Sequence, residues 1–137
     1  MQEKEDSRAQ DGLSFELSRL DNLSGLDVER GLDVFEGDVE DYISALHSFL
    51  KNTPAVIDKL RDVTEDALPG YAVNIHGLKS ISAWICAERI QAGAAELEAL
   101  AKAGDLSGVV ARNDKFLKDA EALIKDLQVV LEDDPPE

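Results

Sequence analysis

Thiols are nearly absent from the chain, Cys86 being its one cysteine. That excludes an internal disulfide and a metal site built from several thiolates, and it fits a reducing compartment. Aromatics make up only 5% of residues against 44% hydrophobic overall. The core must therefore be built mainly from Leu, Ile, Val and Ala, the side chains of packed helices. No apolar run approaches the roughly 20 residues needed to span a bilayer, and Met1-Gln2-Glu3-Lys4-Glu5-Asp6 lacks the apolar stretch of a secretory signal. These absences predict a cytoplasmic protein. Basic residues are also few, 14 against 29 acidic, for a formal charge of -15. Such a field repels phosphate backbones and anionic headgroups, so neither nucleic acid nor membrane is an expected partner, and a soluble monomer is. There is no glycine-rich phosphate loop to hold a nucleotide, no fixed-period repeat, and no alternation long enough for a strand.

What the chain does have is helical periodicity, over a length of 137 residues that suits one domain. Residues 1–24 read as an N-terminal extension or linker, in which Leu13, Leu17 and Leu20 have the spacing of a short extra helix before the turn-like Asn22-Leu23-Ser24-Gly25. A second short helix is expected from Asp27 to Phe35, capped by Asp27 and followed by Gly37. Asp38 opens a long one, with Val39, Tyr42, Ile43, Leu46, Phe49 and Leu50 on one stripe. Thr53-Pro54 predicts a kink or step in it, because Val56, Ile57, Leu60 and Val63 keep the period beyond the proline. The next helix starts at Thr64 or is displaced by Pro69-Gly70, and runs to about Ile85. Another spans about Ala87 to Ala103, with Ile90, Ala94, Leu97, Leu100 and Ala101 inward and Gly104 ending it. Asp105 or Ser107 caps the last helix, whose stripe includes Val109, Val110, Phe116, Leu117, Ala120, Leu123, Ile124, Leu127, Val130 and Leu131. The expected fold class is all-α, an antiparallel four-helix bundle over 25–131 with one or two short extra N-terminal helices. Residues 132–137 form a flexible acidic tail that Pro135-Pro136 keeps from extending the helix.

Winding residues 68–85 at about 100° per position puts Leu68, Tyr71, Ile75, Leu78, Ser82 and Ile85 on the core side and His76 roughly 140° away from its centre. The helical neighbours of His76 are Ala72, Val73, Lys79, Ser80 and Ala83, small or medium apart from the lysine. An exposed imidazole among small side chains can be reached by another protein. A lysine three residues on can hold a negative group beside it. Neutral imidazole is a competent nucleophile near neutral pH, and its phosphoramidate can return the group to a carboxylate. The bland alternative is a solvated histidine with a surface lysine. His47 has no lysine three residues on and has Ile43, Phe49 and Leu50 nearby, so it is assigned to packing or the rim.

The stretch His76-Gly77-Leu78-Lys79-Ser80 resembles the H-x-L-K-[G/S] motif of histidine phosphotransfer (HPt) domains. The likeness extends over about 25–131. Upstream are Gly25-Leu26-Asp27-Val28-Glu29-Arg30-Gly31-Leu32 with Phe35, Gly37 and Asp38. Downstream are Ala87-Glu88-Arg89-Ile90, Ala95-Glu96-Leu97-Glu98 and Ala103-Gly104-Asp105. The sequence departs from the family at Ile75, commonly alanine, and at Trp84 and Cys86, where the turn commonly has asparagine and glycine. Either the turn is displaced or Trp84 packs over the bundle end.

The resemblance implies a phosphorelay intermediate in two-component signalling. His76 is then the phospho-acceptor, Lys79 the cation that steadies the phosphoryl group, and Ser80 a small neighbour whose hydroxyl could donate to a phosphate oxygen. The implied partners are response-regulator receiver domains, including one in a hybrid histidine kinase. Such a receiver brings an aspartyl phosphate and its own Mg²⁺, so this chain needs no cofactor and is a carrier rather than an enzyme. Docking is expected on Ala72, Val73 and Ala83. Two rivals stand beside this reading. One is a helical adaptor in signalling that is never phosphorylated. The other is a carboxylate-bridged metal bundle, which needs Glu-x-x-His ligand pairs; Val73 and Ser44 stand three before His76 and His47.

Overall fold

The computed structural model describes residues 17–132. Leu13 and the tail beyond 132 lie outside the described residues. Within them the chain is helical, and there is no strand, only an isolated antiparallel bridge between Leu26 and Ala87. The elements are α1 (17–21), α2 (Val28–Val34), α3 (Val39–Lys59), α4 (Leu68–Trp84), α5 (Glu88–Lys102) and α6 (Leu106–Glu132).

Side-chain caps start three of these helices. Asp27 accepts from the Arg30 N–H at 3.1 Å, Asp38 from the Asp41 N–H at 3.1 Å, and Asp105 from the Gly108 N–H at 2.9 Å. Ser107 only donates to the same Asp105 carboxylate, so Asp105 is the cap of α6. The fourth start differs from the first of the two offered by the sequence: α4 begins at Leu68. Thr64 instead closes the preceding turn, its Oγ1 accepting from the Ala67 N–H at 3.2 Å. Pro69 falls in the first turn, where a missing N–H costs nothing.

Pro54 does not end α3, which continues to Lys59 as the period beyond the proline requires. Beyond the proline, Ile57 and Leu60 are fully buried. Burying each contributes about 1.5–3 kcal/mol, enough to offset the roughly 3 kcal/mol a helix-interior proline costs.

Each long helix has two long neighbours: α3 packs against α4 and α6, and α5 packs against α4 and α6. All six core positions expected on α4 are buried. A buried polar chain ties three helices together. The Tyr71 hydroxyl donates to Asn113 Oδ1 at 2.7 Å, and Asn113 Nδ2 donates to the Leu60 carbonyl at 2.8 Å. Val110 departs from the expected stripe of α6 and is 54% exposed. Its neighbour Val109 takes the inward position, and one residue further turns the side chain by about 100°.

The α4–α5 turn is not displaced. Cys86 itself adopts φ 59°, the left-handed seat that glycine usually fills. The Ala87 N–H donates back to the Ser82 carbonyl at 2.9 Å. Trp84 lies at this end of the molecule, its ring centroid 5.4 Å from that of Phe35. The turn is further fixed by the Tyr42 hydroxyl on the Ile85 carbonyl and the Asp27 N–H on the Cys86 carbonyl.

Candidate functional site

His76 lies halfway along α4, on the side away from Ile75 and Leu78, and its side chain is 57% exposed. Alongside it α5 presents Glu98, a carboxylate at a position that the helix period assigns to the core. Glu98 follows Ala94 by four and precedes Ala101 by three, both buried, and its own side chain is only 5% exposed. A carboxylate at such depth needs partners. It has three. Lys79 Nζ donates to Oε1 at 2.5 Å, His76 Nδ1 lies 2.7 Å from Oε2, and Lys102 Nζ lies 3.0 Å from the same Oε2.

The hydrogen bond from Lys79, then that from Lys102, holds the Glu98 carboxyl down to about 2, against the opposing effect of burial. Glu98 is therefore an anion at neutral pH and can only accept. The hydrogen on the His76–Glu98 bond must then sit on His76 Nδ1. In the neutral ring this leaves Nε2 with a free lone pair. The imidazole is held in one tautomer by a buried anion while most of its surface faces solvent.

Lys79 is beside His76 as the spacing predicts, and the negative group it holds belongs to the chain itself. Ser80 and Val73 are exposed, Val73 at 72%, while Ala72 and Ala83 are half-buried. Of the three docking candidates, Val73 offers the most surface. Two larger apolar side chains on the same helix, outside the expected docking set, are also exposed: Ile81 and Trp84, the latter at 59%. They border a groove of about 600 Å³ between α3 and α4 that Phe35, Ala45 and Phe49 also line.

His47 is exposed rather than packed, because it stands one residue past the buried Leu46 and so turns about 100° outward. Cys86 is buried, and burial pushes its thiol up, away from the thiolate a nucleophile requires. Among the described residues, no three His, Cys, Asp or Glu side chains converge as metal ligands would. Nor is any described helix long and apolar enough to cross a membrane.

Comparisons with protein-family models, with curated proteins and with solved structures found no match. The chemistry of the site therefore rests on its own geometry. Glu98 and Lys102, absent from the sequence-based site, did leave a signal there. A glutamate on an otherwise apolar stripe, with a lysine four residues on, marks a buried charge with a partner supplied by its own helix.

Proposed function

We propose that this chain is a phosphorelay intermediate, which accepts a phosphoryl group on His76 from the aspartyl phosphate of a receiver domain and passes it to another. The observation that carries this reading is the oriented, exposed imidazole: Nδ1 is engaged by buried Glu98, and Nε2 is left bare. In this reading the four long helices form an antiparallel bundle of the HPt kind in the cytoplasm, with α1 and α2 as its additions. The chain supplies the nucleophile and a docking surface. The partner supplies the activated phosphoryl group and Mg²⁺.

Phosphoryl transfer depends on in-line approach and charge stabilisation more than on covalent catalysis. A half-exposed ring on a rigid helix offers the first, and the ammonium of Lys79 the second. Docking would use the apolar ridge beside His76, where Val73, Ile81 and Trp84 are exposed on the same helix. Ser80 is exposed one turn beyond His76 and can donate to a phosphate oxygen.

One observation favours a phosphate-free adaptor instead: Lys79 is already satisfied by Glu98 and needs no phosphoryl group to explain its position. A phosphorylated receiver panel separates the two. The native chain should take up acid-labile, base-stable phosphate, and a folded His76→Gln variant should take up none. A folded native chain that resists both the panel and phosphoramidate would be an adaptor.

A further inference from the structure

Glu98 has a consequence for the phosphorylated state as well as for the attack. Before transfer, Nδ1 carries a hydrogen bonded to an anion 2.7 Å away. When the Nε2 lone pair forms the N–P bond, the P–O bond to the donor aspartate breaks and its electron pair leaves with that carboxylate. The ring gains one positive charge and no proton moves. Were Nδ1 then to lose its hydrogen, its lone pair would point at the Glu98 carboxylate across the same short gap. Two acceptors facing each other across a gap too short to admit a water, one of them a carboxylate that is only 5% exposed, is an unfavourable arrangement.

Resting on the carrier reading above, we propose that Glu98 keeps the proton on Nδ1 throughout the relay, so that His76 carries its phosphoryl group as an imidazolium. This form has the better leaving group, because a neutral imidazole departs when the N–P bond breaks. Return of the group to an aspartate then needs no acid, and forward and reverse steps have the same proton inventory. The phosphoryl group is correspondingly short-lived, a transit form rather than a store.

The charged groups facing Glu98 set how strongly it acts. On α4 they are His76 and Lys79, and on α5 there is Lys102, which shares Oε2 with His76. Each lysine draws negative charge away from the ring. Removing Lys102 should therefore strengthen the hold of Glu98 on the Nδ1 proton, and removing the charge of Glu98 should abolish it. Opposite signs from two residues on the same contact distinguish this role from a structural one.

The test is the lifetime of phosphate on chains labelled with phosphoramidate at neutral pH, together with ¹⁵N NMR of the phosphorylated ring. Glu98→Gln keeps an acceptor for Nδ1–H but not the charge, and it should lengthen the lifetime roughly tenfold per unit of proton affinity lost. Lys102→Gln should shorten it. The native phosphorylated ring should still show a protonated Nδ1 at about pH 8, above the range where an unperturbed imidazole titrates. A deprotonated Nδ1 there, or lifetimes that move in the same direction in both variants, would overturn the proposal. The NMR arm uses the native chain and so survives a variant that fails to fold. Failure of phosphoramidate and of phosphorylated receivers to label the native chain would instead remove the carrier reading itself.

Discussion

Glu98 ties acid stability to the site. Its carboxyl is lowered from an ordinary 4.5 to about 2 by Lys79, then Lys102, with His76 adding to the effect. A folded value below the unfolded one means that the stability it contributes is complete above about pH 4.5. That stability is lost as pH falls toward 2. Glu98→Gln should be less stable than the native chain at neutral pH, and the gap should close between those limits. Urea midpoints of the two proteins at neutral and acid pH check this; a gap that is constant with pH would count against the ion contacts. Asn113 is the second residue on which several groups depend. It is 2% exposed and bridges the Tyr71 hydroxyl to the Leu60 carbonyl. Asn113→Ala strands both buried groups, at about 1–3 kcal/mol for each one left unpaired. A loss of roughly 2–6 kcal/mol is expected in chemical denaturation. Tyr71→Phe, which strands only the Asn113 oxygen, should cost less.

The helices themselves were largely legible in the amino-acid order, for a physical reason. Where a stripe is made of Leu, Ile, Val and Ala, burial follows period, as on α4, where Leu68, Tyr71, Ile75, Leu78, Ser82 and Ile85 all lie inward. Legibility failed where composition and position disagree. Glu98 is charged and so stands outside the apolar stripe of its helix, yet its place between Ala94 and Ala101 is a core place. Val110 looked buried because it is apolar, yet Val109 occupies the inward direction. Of the two places expected for His47, packing or the rim, the exposed side chain rules out packing: Ile43, Phe49 and Leu50 are buried, but Phe49 lies about 200° away on the helix. His76 and Lys79 could be placed because both depend only on spacing within one helix. Glu98 and Lys102 could not, because their approach depends on how α5 lies against α4. The fit of α2 on α3 gives a prediction at this scale. A methyl group at Gly31 would come 2.5 Å from Cε1 of Tyr42, whose buried ring is held by the hydroxyl bond to Ile85. Gly31→Ala gains up to about 1 kcal/mol of helix propensity. Overpacking typically costs about 1–3 kcal/mol and should win here. The variant should melt below the native chain, and a rise would show that Tyr42 can move aside.

Charge acts on the molecule as a whole. With 29 acidic and 14 basic residues, the folded chain repels itself more strongly than the expanded one, whose charges are farther apart. The ion pairs Arg30–Glu88, Arg61–Glu121 and Arg112–Glu96 are about half exposed or more, and such pairs contribute little. Screening should therefore relieve more repulsion than it removes attraction. The thermal midpoint is expected to rise by a few degrees, roughly 1 kcal/mol, between low salt and about 0.5 M sodium chloride. A fall would mean that the pairs matter more than the net field. The short turn at Cys86 has a consequence in time rather than in strength. The groups that meet at the site come from α4 and α5, consecutive helices joined by residues 85–87, and His76 is 22 positions from Glu98. Contacts so near in sequence close a short loop, and short loops close early, before distant segments are recruited. The ring and its counter-ion can thus find each other in a helical hairpin while α3 and α6 are still arriving. A newly made chain would hold an aligned imidazole before it has finished folding.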